Sequence, residues 1–476
     1  MGNSPHAASI HILDDDSLLN VFNLYRPFLL GEDQDDGARL PGGERAWVGE
    51  RWWYRLAHVC QRWRNLILGS APYLGLSLVC TKGTPVADML AHSPSLPLVI
   101  DFFNVSHDIS AEDERGIILA LKQRHRVRRI RLWTLVTNVQ KLIGAIDEEY
   151  PVLEYLVILP QMEDNNTILT FPETFQAPHL RHLAVIGFAF PMASRLLTTA
   201  LALVTLALVM VHPSTHFQPN VLLHWISFMP QLETLATLYS FPIPNHDLER
   251  QLTHTPTMTP VTLPNLHFFR FRGGSTYLEA VVRRIAAPHL EKLQISFFSQ
   301  LTFSVPCLLH FMNTTENLRF DSAIFRFSTD RGFVAVHPRE AVEMHALSIN
   351  VNCWHLDWQV SSIAQILSTL SQMLSPVEHL TLQRGNHTRS SEEHNEADRS
   401  EWRKLLRSFS NVKTLHIGDE LVEELSRCLQ LEDGELELLP ELQELTYSGS
   451  GNTGDAFTSF MDARQNVGHP VALTLC

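Results

Sequence analysis

Three stretches of this 476-residue chain combine residue types that could do chemistry. Cys353, His355 and Asp357 alternate, so on a strand they would share one face. A histidine beside a thiol can activate it as a nucleophile. Trp354, Leu356 and Trp358 would then hold the opposite face. A nucleophile and its base normally arrive from separate segments, so the trio reads as solvent-facing strand residues. Gly449-Ser450-Gly451-Asn452-Thr453-Gly454 spells G-x-G-x-x-G between an expected strand (445–447) and an expected helix (455–463). A dinucleotide site would cradle pyrophosphate on that helix N-terminus. The next strand candidate, Val471 to Leu475, brings no ribose-binding acid, so the motif reads as a loop in a repeat. Lys122, Arg124, His125, Arg126, Arg128, Arg129 and Arg131 form a basic run that could hold phosphate or an acidic partner. Val127, Ile130 and Leu132 put the same run in a repeat, where it reads as a charged, exposed end of the array.

The remaining chemistry is negative. No H-E-x-x-H and no P-loop occurs. The six cysteines, at 60, 80, 307, 353, 428 and 476, spell no zinc knuckle or redox pair. The expectation is therefore a non-enzyme without catalytic, cofactor-binding or metal-ligating residues. Scattered cysteines also suit a reduced protein inside the cell, in cytoplasm or nucleus. No signal-peptide pattern precedes Asp14. The most apolar run, Leu196 to Val211, includes three Thr and falls short of the ~20 residues that span a bilayer. A net charge of −14, from 37 basic and 51 acidic residues, argues against binding nucleic acid through bulk charge. Neither a membrane nor a nucleic acid is expected as partner.

The elements that must position any site fall into two unlike parts. Residues 1–78 carry two helical patterns. In the first, Asp14, Asp15 and Asp16 fill the opening turn, where the helix dipole favours negative charge. Leu18, Val21, Phe22 and Tyr25 then form one apolar face at i, i+3, i+4 and i+7, and Pro27 stops the pattern. The second helix is expected within Trp52 to Leu68, with Leu56, Val59, Cys60 and Trp63 on its apolar face and Ile67 extending it. Between them, residues 31–50 hold six acidic residues, two basic residues and five Gly, the composition of a solvated loop. Two short amphipathic helices want a partner for their apolar faces, in the rest of the chain or in another protein.

Residues 79–476 repeat. The unit is apolar-x-x-apolar-x-apolar, as in Val127-Ile130-Leu132, Leu180-Leu183-Val185, Leu290-Leu293-Ile295 and Val412-Leu415-Ile417. A weak copy stands at Leu318. First positions run from Val127 to Leu442 in eleven steps of about 29 residues, at the long end of the range for leucine-rich repeats. Proline sits two residues before the first apolar position at Pro151, Pro178, Pro230, Pro264, Pro288 and Pro440, where it could end a helix and aim the chain into a strand. One strand-plus-return unit cannot bury its apolar face alone, but stacked neighbours can. The predicted fold is α/β: a small helical module, then an irregular horseshoe-like solenoid with a parallel sheet.

The first part resembles an F-box. The pattern of that family is a Leu-Pro opening, an acidic helix ending in Ile/Val-Phe, then Leu-x-x-Val-Cys-x-x-Trp-Arg. Leu13, Val21-Phe22 and Leu56-Ala-His-Val59-Cys60-Gln-Arg-Trp63-Arg64 match it, while Asp14 stands where the pattern has Pro. With Thr84-Pro-Val-Ala-Asp-Met-Leu90, the chain is similar to leucine-rich-repeat F-box proteins of mushroom-forming fungi. The resemblance implies a substrate-recognition subunit of a cullin–RING (SCF-type) ubiquitin ligase. The helices would dock on a Skp-type adaptor, and through it on cullin, while the repeats hold a target protein. Carried over by position, the adaptor-binding residues would be Leu13, Leu18, Val21, Phe22, Leu56, Val59 and Trp63. The alternative is a protein-binding solenoid scaffold that works without a ligase.

Overall fold

The computed structural model describes residues 13–25, 51–93, 95–103, 109–161, 167–211, 217–240, 260–300, 302–315, 317–318, 320–338, 345–385, 397–430, 438–448 and 456–475. The acidic stretch 31–50 and the glycine motif 449–454 lie outside the described residues, as do Met344, which opens the repeat copy Met344-Leu347-Ile349, and 390–396 of an acidic insertion that the sequence suggests from Ser390 to Glu401. The chain is α/β, with 15 α-helices among the described residues, and it forms two compact units, Met1–Thr205 and Leu206–Cys476. The boundary expected at 78/79 lies inside the first unit.

The first unit opens with four helices: α1 (Asp15–Tyr25), α2 (Trp52–Ala57), α3 (Gln61–Gly69) and α4 (Ala71–Leu74). Strands and helices then alternate: β1 (Leu78–Cys80), α5 (Val86–His92), β2 (Leu98–Phe102), α6 (Ala111–Leu121), β3 (Val127–Leu135), α7 (Val136–Ile143) and β4 (Tyr155–Gln161). The short β5 (Leu169–Thr170), β6 (His182–Ile186), the short β7 (Phe188–Ala189) and α8 (Arg195–Thr199) follow. β1, β2, β3, β4 and β6 pair in parallel in chain order. The array thus begins two strands before Val127. Register aligns the repeat positions: Ile130 faces Leu156 and Leu132 faces Ile158, then Leu156 faces Leu183 and Ile158 faces Val185. All six side chains are buried. The inward row stacks because a side chain that lands on the core face of one strand has its counterpart on the same face of the next.

The second unit continues with β8 (Thr205–Val211), α9 (Pro219–Ile226), β9 (Thr234–Tyr239), the short β10 (Val261–Thr262), β11 (Phe268–Gly273), α10 (Ser275–Val282), the short β12 (Ile285–Ala286) and β13 (Lys292–Phe297). Next come α11 (Pro306–Asn313), β14 (Ser322–Phe327), β15 (Arg331–His337), β16 (Leu347–Asn352) and the long α12 (Leu356–Leu374). The unit ends with β17 (His379–Arg384), α13 (Arg399–Leu406), β18 (Thr414–Ile417), α14 (Val422–Leu429), β19 (Glu444–Tyr447), α15 (Thr458–Asn466) and β20 (Ala472–Leu475). Its strand order is β8-β9-β11-β13-β16-β15-β14-β17-β18-β19-β20. Helices α9 to α14 touch their chain neighbours in turn, which sets them side by side.

Two expectations about the repeats change. The weak copy at Leu318 was expected as one more parallel strand between its neighbours. Instead β14 and β15 form an antiparallel hairpin, and β15 also runs antiparallel to β16, so β14 lies beyond β16 and pairs in parallel with β17. The prolines do not end helices. In all six units the N–H of the first apolar residue donates to the carbonyl three residues earlier: Leu153 to Tyr150, Leu180 to Ala177, Leu232 to Met229, Leu266 to Leu263, Leu290 to Ala287 and Leu442 to Leu439. Proline is therefore the second residue of a four-residue turn, where its fixed φ is already correct. Finally, Leu196 to Val211 divides between α8 and β8, and no described helix is long and apolar enough to cross a membrane.

Candidate functional site

The helical module is built from α1 to α4. A side-chain oxygen of Asp14 accepts the Ser17 N–H at 2.7 Å, capping α1, and this hydrogen bond holds the Asp14 carboxyl below its ordinary range. The Asp at this position thus starts the helix where the F-box pattern has Pro. Leu18 and Phe22, one turn apart, are fully buried. The Phe22 ring meets Trp63 of α3 edge-on, with centroids 4.9 Å apart. Arg62 ties the two helices from outside: it donates to the Leu13 carbonyl at 2.7 Å and pairs with Asp15 at 2.8 Å. Trp53 Nε1 donates to the Ser77 carbonyl at 3.2 Å, anchoring α2 to the chain entering β1.

The second helix expected within Trp52 to Leu68 is broken. His58 and Val59 turn, and Cys60 is extended, with φ −158° and ψ 168°, before α3 begins. Arg64 folds back and donates to the Ala57 carbonyl at 3.1 Å, satisfying an acceptor that the break leaves at the end of α2.

The break and the α1 packing sort the seven carried-over residues. Leu18, Phe22 and Trp63 form the module's own core. The faces expected to lack a partner in this segment therefore largely partner each other. Leu13 (38% exposed), Val21 (42%) and Val59 (56%) remain on the surface, and Leu56 is half-buried. The structure adds Leu24, 80% exposed, and Tyr73, whose hydroxyl lies 3.4 Å from the Asn20 amide oxygen. Leu24 was missed because it lies off the stripe of Leu18 and Phe22; its spacing of three from Val21 was the available signal.

The other candidates resolve differently. Cys353, His355 and Asp357 do not share a strand. β16 ends at Asn352, Cys353 to His355 turn, and Asp357 is already in α12. The α-helical start at Leu356 removes the alternation the trio needed. Cys353 is buried; burial raises its thiol pKa, and its Sγ donates to the His355 backbone carbonyl at 3.7 Å. That is the opposite of the lowered pKa a nucleophilic thiol requires. Trp354 and Trp358 are exposed, while Leu356 is buried.

The basic run is not an exposed end either, because β3 lies between β2 and β4. Arg128 pairs with Glu154 at 2.8 Å, Arg124 pairs with Glu148, and Arg126 donates to the Leu96 carbonyl at 3.0 Å. Arg131 is buried near Asp101, with its guanidinium 4.1 Å from the Phe103 centroid. Most of these cations are occupied within their own unit. Among the described residues no group of three His, Cys, Asp or Glu could hold a metal ion. No family model matches the chain, and no curated protein matches it either.

Proposed function

We propose that the chain is a non-catalytic substrate receptor of an SCF-type ubiquitin ligase, in which the helical module docks on a Skp-type adaptor and a leucine-rich-repeat-like solenoid holds a target protein. The observation that carries this reading is the run Val59-Cys60-Gln-Arg-Trp63-Arg64 in a helical module that keeps Leu13, Val21, Leu24 and Val59 at its surface. Exposed apolar side chains close in sequence to a tightly packed Phe22–Trp63 core fit a rigid scaffold that presents a docking patch. A receptor of this kind needs no chemistry of its own. Holding the target beside the ligase raises its effective concentration. The burial of Leu18, Phe22 and Trp63 inside the module favours the second reading, a scaffold without ligase duty, because it leaves fewer apolar groups for an adaptor.

Co-expression with a Skp-type adaptor followed by size-exclusion chromatography separates the two. The receptor reading expects a one-to-one complex that is lost in a Leu13→Glu/Val59→Glu variant whose thermal midpoint is unchanged. Both residues are exposed, so the variant tests docking rather than folding; Trp63→Ala would remove core packing instead. Elution of the wild-type chain alone sinks the receptor reading.

A further inference from the structure

The solvent face of the second unit's sheet carries cations that form no ion pair with a described acid. On β11, Phe269 and Phe271 point into the core, so Arg270 and Arg272 point outward. Register then runs one row across neighbouring strands: Arg272, Ser296, Asn350, Phe333, Arg326 and Gln383. Each of these six is exposed or half-exposed. Lys292 and Arg331 stand on the same face, the first with its ammonium 5.5 Å from the Phe268 centroid. The Arg272 guanidinium lies 5.6 Å from the Phe298 centroid.

Elsewhere in the molecule some cations pair with carboxylates, as Arg62 does with Asp15, Lys141 with Glu114, Arg128 with Glu154 and Lys413 with Glu378, and others, such as Arg55 and Arg195, have no ion pair among the described residues. On this face, among the described residues, Arg331 alone pairs with a carboxylate, that of Asp330 at 3.3 Å. Arg270, Arg272, Lys292 and Arg326 have no ion pair to a described acid. Acids outnumber bases by 51 to 37 in the chain, so a cluster of cations without a described ion partner is not what bulk composition would deliver. Partial burial depresses the pKa of both Arg270 and Arg272, with repulsion from Arg272 adding to it at Arg270 and from Arg331 at Arg272, a cost that an incoming anion would relieve.

We propose that this face binds an extended, acidic segment of a partner protein, laid across the strands. Carboxylates at one end would meet Arg270 and Arg272, those at the other would meet Arg326, and an apolar side chain between them would rest on Phe333. The dimensions set the segment length. Arg272 and Arg326 are four strand steps apart, about 19 Å at ~4.8 Å per step, which an extended chain covers in about six residues at ~3.3 Å each. A nucleic acid is the lesser fit. A polyanion longer than this row would run onto the surface of a chain whose net charge is −14. The inference deepens the receptor reading by naming the chemistry of the recruited segment, and it rests on that reading only for the partner being a recruited target.

The test uses the full chain and an immobilised octapeptide library with randomised positions. The expected result is enrichment of Asp and Glu at two positions about six residues apart, with an apolar residue between. An Arg272→Glu/Arg326→Glu variant should bind the enriched acidic peptides at least tenfold more weakly, while keeping the wild-type thermal midpoint and the wild-type elution with the adaptor. No acidic preference, or the same preference in the double variant, overturns the proposal. So does a ten-nucleotide single strand that binds more tightly than the best peptide. If the wild-type chain ignores the adaptor but selects acidic peptides, the receptor reading fails and this one stands.

Discussion

Gln359 shows how single residues hold the second unit's irregular region together. It is buried in α12, and its amide nitrogen donates to the Ser328 carbonyl at 2.8 Å and the Cys353 carbonyl at 2.7 Å. One side chain thus straps the hairpin turn to the end of β16. Gly332 lets β15 approach the same helix closely: an added Cβ would meet Ile363 Cδ1 at 2.8 Å and Gln359 Cβ at 3.1 Å. Gly332→Ala is expected to cost about 1–3 kcal/mol, read as a lower urea midpoint. An unchanged midpoint would mean that α12 yields. A second residue-scale device is His345, whose ring lies 5.6 Å from that of His337. Burial, then the neighbouring His337, Arg326 and Lys292, pushes its pKa below the ordinary imidazole value. The unfolded chain therefore binds the proton more readily than the folded one. Stability should be full above about pH 6.5 and decline as the pH falls below it. Thermal melts at about pH 7.5 and about pH 5.5 check this, and His345→Gln should shrink the difference. An equal difference in that variant would assign the acid sensitivity to other groups.

At the scale of elements, packing decided what periodicity left open. The Leu18–Phe22 stripe on α1 was legible, and α1 packs against α3 and α4. Truncating Phe22 to Ala should cost about 3–5 kcal/mol within the module, because the ring is fully buried against Trp63. Hydrogen exchange would register it as lost protection of α1 with β17 to β19 unaffected; uniform loss throughout the chain would contradict a local core. The break at Val59 was not legible, since Leu56, Val59, Cys60 and Trp63 keep helical spacing straight through it. The β14–β15 hairpin did have a sequence signal. Ser322–Phe327 and Arg331–His337 are separated by three residues, a hairpin distance; β14 keeps the unit as Phe320-x-x-Ala323-x-Phe325, while β15 does not follow it. The unit pattern therefore marks a strand near Leu318 and is silent on β15.

At the scale of the whole molecule, the stacking order of each unit follows from a repeated local pattern, and the candidate surfaces follow from what the pattern leaves outward. Apolar positions at fixed spacing, with a turn-forming Pro ahead of six of them, determined the α/β class, the parallel pairing of most strands and the identity of the inward rows. Those features are local, since a strand's inward face and a turn's φ depend on residues within one unit. Tertiary structure alone decided the rest. Which carried-over F-box positions are core and which are surface depended on where α1 meets α3. Whether Cys353 could be a nucleophile depended on where β16 stops and α12 starts. The row from Arg272 to Arg326 joins residues 54 positions apart in sequence. It exists because β15 and β14 are inserted between β16 and β17, and no spacing within the chain specifies that insertion.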